Sequence, residues 1–449
     1  MTHNPRDSVR SRRPRCPKCG FVGAVAELQV RLAILRICYK VPLCDAGGIS
    51  YYLIMAGPTV VLDLRFRVVR PDQEVFIVFP GRDYFLHQFF NLHGCIFPEL
   101  PALDLIPKRR IQDQPDLDAK LMRSRAIDAW YLSGKRGDRP SRLLSDYKKR
   151  RAPRWLPQTR GVLAGFFDRA KNGDLVVVPG PTTFSNVLIG EIDDQIPNDL
   201  ARFEEITVPE VWENEKVPSR RVRWLAHVLR GNCSLDLQRR FPSPNAVRTL
   251  EREARAEIYS LAYGSYSIED SYTSKFDVTS ADFSTRDDYH LQQFFNVIAA
   301  ICEQLETRPQ PLARRAPRDA LPTVIPGSGF DEVIDLLTSD DYIPSLSVNI
   351  NSPGSLVLSC AKVVPLVAAG VLALSVLGAE PTWEALAQGK VTVNNSEATK
   401  DDACTAKVAA EVIEQLKLMG LARWQEICKK AQQLHTHTGI NGKSKAEIK

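Results

Sequence analysis

Acidic residues of the kind used by metal-dependent nucleases occur at two places in the chain. Restriction-type nucleases need an Asp and a Glu-x-Lys on adjacent strands, because these carboxylates hold Mg²⁺ and orient the attacking water. Asp193-Asp194 and Glu213-Asn214-Glu215-Lys216 have these residue types, but both fall in predicted loops. The chain also lacks the phosphate-binding loop, the serine elbow and the paired-histidine zinc motif. The residues therefore favour a protein without catalysis.

Two cysteines near the amino terminus could hold a metal. Cys16-Pro17-Lys18-Cys19-Gly20 has the form of a zinc knuckle, and a tetrahedral site would need two further ligands. Cys38 and Cys44 are the nearest candidates, at a loose spacing inside an apolar run. Two interpretations stay open, a structural zinc site or an unpaired knuckle in a flexible basic tail. The first fifteen residues do not resemble a signal peptide, so we expect a reducing cytoplasm in which most cysteines are small core residues.

Basic residues are concentrated between positions 108 and 160. The net charge of the chain is only +6, but sixteen Lys and Arg lie in this segment, and Lys148, Lys149, Arg150 and Arg151 are consecutive. Such a cluster predicts phosphate binding, and a solvated helix surface is the alternative.

Residues 171–192 have the pattern of a β-hairpin. Leu175–Val178 is a β-branched strand, Pro179-Gly180-Pro181 ends it, and Val187–Ile192 is a second strand. Gly190 lies inside that second strand, where glycine usually marks a bulge or a close backbone approach.

This hairpin resembles the Gly-Asp-Leu-Val…Ile-Gly-Glu signature of PUA-like domains, the superfamily that includes EVE and YTH modules and domains attached to Mrr-like restriction enzymes. The basic strand Arg220-Arg221-Val222-Arg223-Trp224 follows at about the distance found in such domains. The resemblance covers residues 150–250 and implies a β-barrel that holds a flipped or modified base in an aromatic-lined notch. Base stacking on such an aromatic wall contributes about 1–3 kcal/mol. It further implies that the notch is formed by Trp155, Phe184, Ser185, Asn186, Arg223 and Trp224.

Composition divides the rest of the chain. We predict an α+β, multidomain protein with a central PUA-like barrel and a small C-terminal unit, because strand-like runs precede the hairpin and helical periodicity follows it. A Pro- and Arg-rich segment, 307–328, has the composition of a linker. The predicted units are a basic tail (1–44), an α+β region (45–149), the barrel (150–250), a helical extension (251–306), the linker (307–328) and a C-terminal unit (329–449).

The C-terminal unit combines a predicted hairpin with an apolar helix and amphipathic helices. Strands are predicted at Leu346–Ile350 and Ser355–Leu358, around a turn at Asn351-Ser352-Pro353-Gly354. Residues 363–379 are uncharged, whereas a membrane span needs roughly 20 apolar residues. Extension back to Leu356 would make the run long enough, so residues 356–379 predict either a membrane-seeking helix or a deeply buried one. We expect a cytoplasmic protein, with inner-membrane association as the alternative.

The resemblance implies a prokaryotic anti-phage defence sensor. In this hypothesis the barrel binds nucleic acid or a nucleotide, and the C-terminal unit acts on a membrane or on a partner, either a second defence protein or another copy of the chain. The alternatives are an Mrr-like enzyme that cleaves DNA and a structural protein whose apolar helix is core. The only cofactor predicted is the structural zinc at Cys16 and Cys19.

Overall fold

The chain forms a mixed α+β structure. The computed structural model describes residues 59–449 apart from 108, 149–150, 194–202, 243–245, 308–339, 350–353 and 397–402, and it describes two short strands before residue 59. The strands are β1 (Pro42–Cys44), β2 (Ser50–Tyr52), β3 (Val60–Asp63), β4 (Phe66–Val69), β5 (Val75–Val78), β6 (Cys95–Ile96), β7 (Leu175–Val178), β8 (Asn186–Ile192), β9 (Glu204–Thr207), β10 (Lys216–Leu229), β11 (Val247–Thr249), β12 (Ser265–Ile268), β13 (Ser271–Val278), β14 (Ser345–Asn349), β15 (Gly354–Cys360), β16 (Val391–Asn394), β17 (Asn441–Gly442) and β18 (Lys445–Ile448). The helices are α1 (His87–His93), α2 (Leu117–Leu132), α3 (Ser145–Lys148), α4 (Leu156–Leu163), α5 (Pro209–Trp212), α6 (Leu235–Arg240), α7 (Arg252–Tyr263), α8 (Thr285–Thr307), α9 (Val364–Ser375), α10 (Ala379–Ala387), α11 (Ala403–Leu418) and α12 (Leu421–Thr438).

A curled half-barrel sheet occupies the middle of the chain. Its strand order is β11-β5-β7-β8-β10-β6, and β9 pairs with the beginning of β10. The pair β5 and β7 is parallel, whereas the other pairs are antiparallel. The hairpin predicted at residues 171–192 is confirmed, since β7 and β8 pair with Val177 opposite Ile189.

Gly190 marks a close approach, as its position in the strand predicts. A Cβ at Gly190 would lie 2.3 Å from Val222 Cγ1 and 2.6 Å from Trp224 Cε3. The bulge itself lies on the partner strand, between Trp224 and Ala226. The indole ring of Trp224 therefore packs over the backbone of β8, which no larger residue at 190 would permit.

Two hydrophobic clusters cover the two faces of the half-barrel. On one face, Phe76, Val178 and Leu188 pack with residues of α1, α2, α4 and the π-helical turn Ala164–Arg169. On the other face, Ile77, Leu175 and Ile189 pack with residues of α6 and α7. The alternation of side chains along each strand directs neighbouring residues to opposite clusters.

The remaining strands join the two ends of the chain. In a six-stranded sheet, β4 pairs in parallel with β12, and the order continues through β13 and β15 to β14. In a three-stranded sheet, β3 lies between β16 and β18. The half-barrel is therefore inserted between β4 and β12, which are neighbours in one sheet.

These pairings do not follow the domain boundaries predicted from composition. The sheet that contains residues 175–229 also contains β5 and β6, which lie before residue 150. A further hydrophobic core lies around residues 342–440, and we refer to it as the second core. It also contains Val60, Leu62 and Phe66. Pairing between distant strands, which composition does not report, joins segments that composition assigns to different units. The predicted C-terminal hairpin is present as β14 and β15.

The apolar run 356–379 is not one helix. Residues up to Cys360 belong to strand β15, and α9 begins at Val364. Helix α9 lies inside the second core, where Val364, Val371 and Leu374 have no exposed surface. Within the described ranges no helix is long and apolar enough to cross a membrane. The structure thus places this run in the core, which agrees with the second of the two predicted alternatives.

The close contact at Gly190 predicts a large difference between two glycine substitutions. We expect Gly190→Ala to lower the free energy of unfolding by about 1–3 kcal/mol, because the new methyl group must displace Trp224 or Val222. The control is Gly161→Ala in α4, where nothing lies within 4 Å of the new Cβ. Alanine is the better helix former, so this control should be neutral or stabilise by up to about 1 kcal/mol. Urea denaturation measures both, and equal effects would contradict the close approach.

The burial of α9 predicts that a polar residue in its middle destabilises the fold. Val371→Asn should cost about 2–4 kcal/mol, since it replaces a buried apolar side chain with an amide that has no hydrogen-bond partner. Val376→Asn, at a position that is 64% exposed just beyond α9, should change the stability by less than about 0.5 kcal/mol. Thermal unfolding monitored by circular dichroism separates the two, and similar melting temperatures would show that α9 is not core.

Candidate functional site

The predicted notch residues at the hairpin tip form a turn. Phe184 is 90% exposed at this tip. The Ser185 N–H donates to the Thr182 carbonyl (3.0 Å), and the two hydroxyl oxygens are 2.8 Å apart. The backbone carbonyl of Asn186 lies 2.9 Å from His87 Nε2. The hydroxyl of Ser185 is thus engaged within the turn. The ring of Phe184 is exposed to solvent and does not form part of an enclosed notch.

Trp224 and Arg223 point to opposite faces of β10. Trp224 Nε1 donates to the Phe90 carbonyl (3.1 Å), and its ring packs against the cluster that contains α1 and α2. Arg223 instead reaches Glu191 at 2.6 Å. Adjacent residues of a strand alternate in direction, so these two cannot line one notch from the same strand. Trp224 is partly buried against this cluster, and its N–H is satisfied.

Four residues of the basic cluster form ion pairs, two with acids of the same segment and two with acids farther along the chain. Lys148 pairs with Asp116 at 2.7 Å, and Arg160 pairs with Asp118. Arg142 and Lys135 pair with Glu215 and Glu213, respectively, about 75 residues further along the chain. Of the predicted phosphate-binding residues, Arg151 is exposed, whereas Lys149 and Arg150 lie outside the described residues, as do Cys16 and Cys19.

Two of the four carboxylates considered for a nuclease are engaged in the same ion pairs. Glu213 and Glu215 bind Lys135 and Arg142, and Lys216 binds Glu205 at 2.9 Å. Asp194 lies outside the described residues. In the part of the chain that the structure describes, no three His, Cys, Asp or Glu side chains are grouped to hold a metal ion.

A group of residues centred on Glu99 contains two members of sites predicted from the sequence, Arg125 of the basic segment and Trp155 of the notch, and three residues that no predicted site included. The group consists of Arg82, Glu99, Arg125, Asp128 and Trp155, and we refer to it as the Glu99 cluster. Arg125 and Asp128 are three residues apart on α2, so they lie on one side of that helix. Trp155 immediately precedes α4, and the Arg125 guanidinium lies over its ring, 5.8 Å from the centroid.

Glu99 has an unsatisfied acceptor. Its Oε1 atom is buried and has no hydrogen-bond partner among the described residues. The backbone N–H of Arg82 bonds to the carboxylate. The neighbouring carboxylate of Asp128 is 3% exposed and accepts a hydrogen bond from Trp212 Nε1 at 3.0 Å. A buried acceptor without a partner costs about 1–3 kcal/mol, which an incoming donor would recover.

Burial raises the pKa of Glu99 to about 7, and the negative charge of Asp128 adds to this, against the opposing charges of Arg125 and Arg82. Burial also raises the pKa of Asp128, although the hydrogen bond from Trp212 acts in the other direction. Two carboxyl groups with raised pKa values beside two exposed arginines are typical of a functional site, although structural networks also produce such shifts.

The turn that carries Arg82 has an unusual backbone. Gly81 has a φ of 74°, which glycine tolerates, but Asp83 and Tyr84 have φ values of 53° and 62°. Left-handed conformations at consecutive residues with side chains are strained, and such strain concentrates at binding sites. The turn follows β5 directly, so the parallel pairing of β5 with β7 positions it.

The sequence contains a weak signal for this cluster. Glu99 stands in Ile96-Phe97-Pro98-Glu99-Leu100-Pro101, where it is the one charge in an apolar segment. Asp128 similarly follows Ala126-Ile127 on α2. A charge inside an apolar run indicates a buried polar group, but the partner residues come from four separate segments and only folding brings them together.

Neither a family model, nor a curated protein, nor a solved structure matches this chain. The resemblance of residues 150–250 to PUA-like domains therefore stays a prediction.

The raised pKa of Glu99 predicts an unusual dependence of stability on pH. The folded protein binds more protons than the unfolded chain between about pH 4.5 and 7, so the wild type should lose stability as pH rises through this window. Glu99→Gln cannot ionise. The free energy of unfolding of this variant, relative to that of the wild type, should therefore increase by on the order of 1 kcal/mol between pH 4.5 and 8. This value allows for solvent screening.

Glu213→Gln is the control for this measurement. The hydrogen bond from Lys135 is the largest cause that lowers the pKa of Glu213, so this residue stays ionised above pH 5. Its variant should differ from the wild type by a constant amount between pH 5 and 8. Urea denaturation at several pH values tests both variants. If the free energy of unfolding of Glu99→Gln and of the wild type changed in parallel with pH, the raised pKa of Glu99 would be contradicted.

Proposed function

We propose that the Glu99 cluster binds the base of a nucleotide or nucleic acid. The observation that carries this proposal is the buried, unsatisfied Oε1 of Glu99, whose carboxylate is close to the exposed Arg82 and Arg125. Arg125 in turn lies over the half-exposed ring of Trp155. A carboxyl group can bond to the N–H groups at the edge of a base. Arginines supply the positive charge that phosphate requires.

Trp155 and Arg125 together supply a stacking surface. Bases stack on both aromatic rings and guanidinium planes, and each such contact contributes about 1–3 kcal/mol. Asp128 is buried and bonded to Trp212, so its role is to set the electrostatics of Glu99 rather than to contact a ligand. Trp155 was among the residues that the PUA-like resemblance implies, whereas Glu99, Arg82 and Arg125 were not.

Coupling to the second core supports a role as a sensor. Arg67 of β4 belongs to the six-stranded sheet and bonds to Glu191 of the half-barrel, which also binds Arg223. A change in the half-barrel on binding would act on this shared contact. The wider hypothesis of an anti-phage defence sensor rests on the resemblance alone and stays a prediction.

The binding proposal predicts different effects of two tryptophan substitutions. Trp155→Ala and Glu99→Gln should each weaken nucleotide binding about tenfold, because they remove a stacking surface and a carboxylate acceptor. Trp130→Ala is a matched control, since Trp130 also lies under an arginine, Arg139, at 5.7 Å but outside the Glu99 cluster. It should bind as the wild type does. Fluorescence anisotropy with labelled nucleotides and oligonucleotides measures all three.

Phe184→Ala distinguishes this site from the notch first predicted. Loss of binding in Phe184→Ala with normal binding in Trp155→Ala would return the site to the hairpin tip. Equal binding by all four variants and the wild type would refute base recognition at either place.

A further inference from the structure

A cavity of about 620 Å³ is lined by residues of α2 and α4, and two members of the Glu99 cluster, Arg125 and Trp155, lie on α2 and immediately before α4. Its apolar lining includes Leu117, Met122 and Ala164. Polar groups at the same cavity include Asp116, Lys148 and Arg160. Apolar walls with a few placed polar groups are typical of small-ligand pockets, and this volume falls within their usual range.

The cavity and Trp155 share the same two helices. On α2, Asp118 and Met122 line the cavity and Arg125 lies over Trp155, so three residues at helical spacing connect the two places. On α4, Arg160 is about one turn beyond Trp155 and pairs with Asp118. Arg125 is seven positions beyond Asp118, which corresponds to roughly 10 Å along the helix.

The segment that joins the two places is positively charged. Arg151 and Arg154 are exposed and have no carboxylate partner among the described residues. Among the described residues of this segment, these two arginines are therefore available to a ligand. A phosphate backbone that passes from the Glu99 cluster to the cavity would meet these charges.

The ion pairs at the cavity are weak enough to be exchanged. The side chains of Lys148 and Asp116 are 51% and 42% exposed, and those of Arg160 and Asp118 are 47% and 40% exposed. Exposed pairs of this kind contribute about 0–1 kcal/mol. A phosphate can therefore replace the carboxylate as the partner of Lys148 or Arg160. The released carboxylate can then accept hydrogen bonds from the N–H groups of a base.

We infer that this cavity is a second nucleotide subsite and that the ligand is a single-stranded oligonucleotide rather than a mononucleotide. The inference rests on the proposed function, because it takes the Glu99 cluster as the first subsite. It assigns Arg160 and Lys148 to the second nucleotide and Arg151 and Arg154 to the connecting phosphates.

The experiment compares ligand lengths on the full chain. The ligands are the four nucleoside 5′-monophosphates and labelled hexanucleotides of DNA and RNA, tested on the wild type, Arg160→Gln, Lys148→Gln and Trp155→Ala. The wild type should bind a hexanucleotide at least tenfold more tightly than a monophosphate. Arg160→Gln and Lys148→Gln should each weaken hexanucleotide binding about fivefold and leave monophosphate binding unchanged. Each should also reduce the slope of log affinity against log salt concentration by about one unit.

Arg252→Gln is the matched control, because Arg252 of α7 forms an exposed ion pair with Glu269 and does not line this cavity. It should bind both ligands as the wild type does, and thermal melts confirm that each variant is folded. Equal affinity for hexanucleotide and monophosphate, or equal weakening of both by Arg160→Gln, would overturn the second subsite while Trp155→Ala still reports the first. Unchanged binding of both ligands by Trp155→Ala, or no binding at all, would overturn the proposed function as well.

Discussion

The buried carboxylate of Glu191 joins the two halves of the molecule. It is 4% exposed and lies between Arg67, from the six-stranded sheet, and Arg223, from the half-barrel. A buried carboxylate without a partner is strongly destabilising, and removal of one member of such a group typically costs about 3–5 kcal/mol. The half-barrel must therefore keep β8 close to β4. This requirement is consistent with the chain path, in which the half-barrel leaves the second core after β4 and returns to it at β12.

The position of the candidate site depends on this arrangement. The β5 strand begins six residues after the end of β4, pairs with β7, and ends in the strained turn that presents Arg82. Helix α2 packs on the same face of the sheet and brings Arg125 and Asp128 to that turn. Charge, burial and strain thus coincide where a strand end meets a helix. Such a place can hold a carboxyl group whose protonation is poised near neutrality.

Other charges in the same region serve mainly structural roles. Asp174 accepts from the backbone N–H groups of Glu74 and Lys171, and so it closes the turn before β7. Together with Glu191, it accounts for both acids of the hairpin signature by contacts within the protein. These two signature residues therefore specify how this hairpin folds and joins its neighbours, while the groups that we propose to contact a ligand lie elsewhere.

The sequence by itself determined the local elements of this protein. Alternation and turn residues predicted the hairpins β7–β8 and β14–β15, and the close approach at Gly190 followed from a glycine inside an apolar strand, because these patterns depend only on neighbouring residues. Tertiary structure decided which of these elements pair, since strands far apart in the chain share sheets. It also decided which charges are available, because distant acids neutralise Lys135 and Arg142, whereas Arg151 has no carboxylate partner among the described residues. The apolar run of α9 fits both a core and a bilayer, and only the surrounding sheets and helices show that it is core, because burial is a property of neighbours that the run itself does not contain.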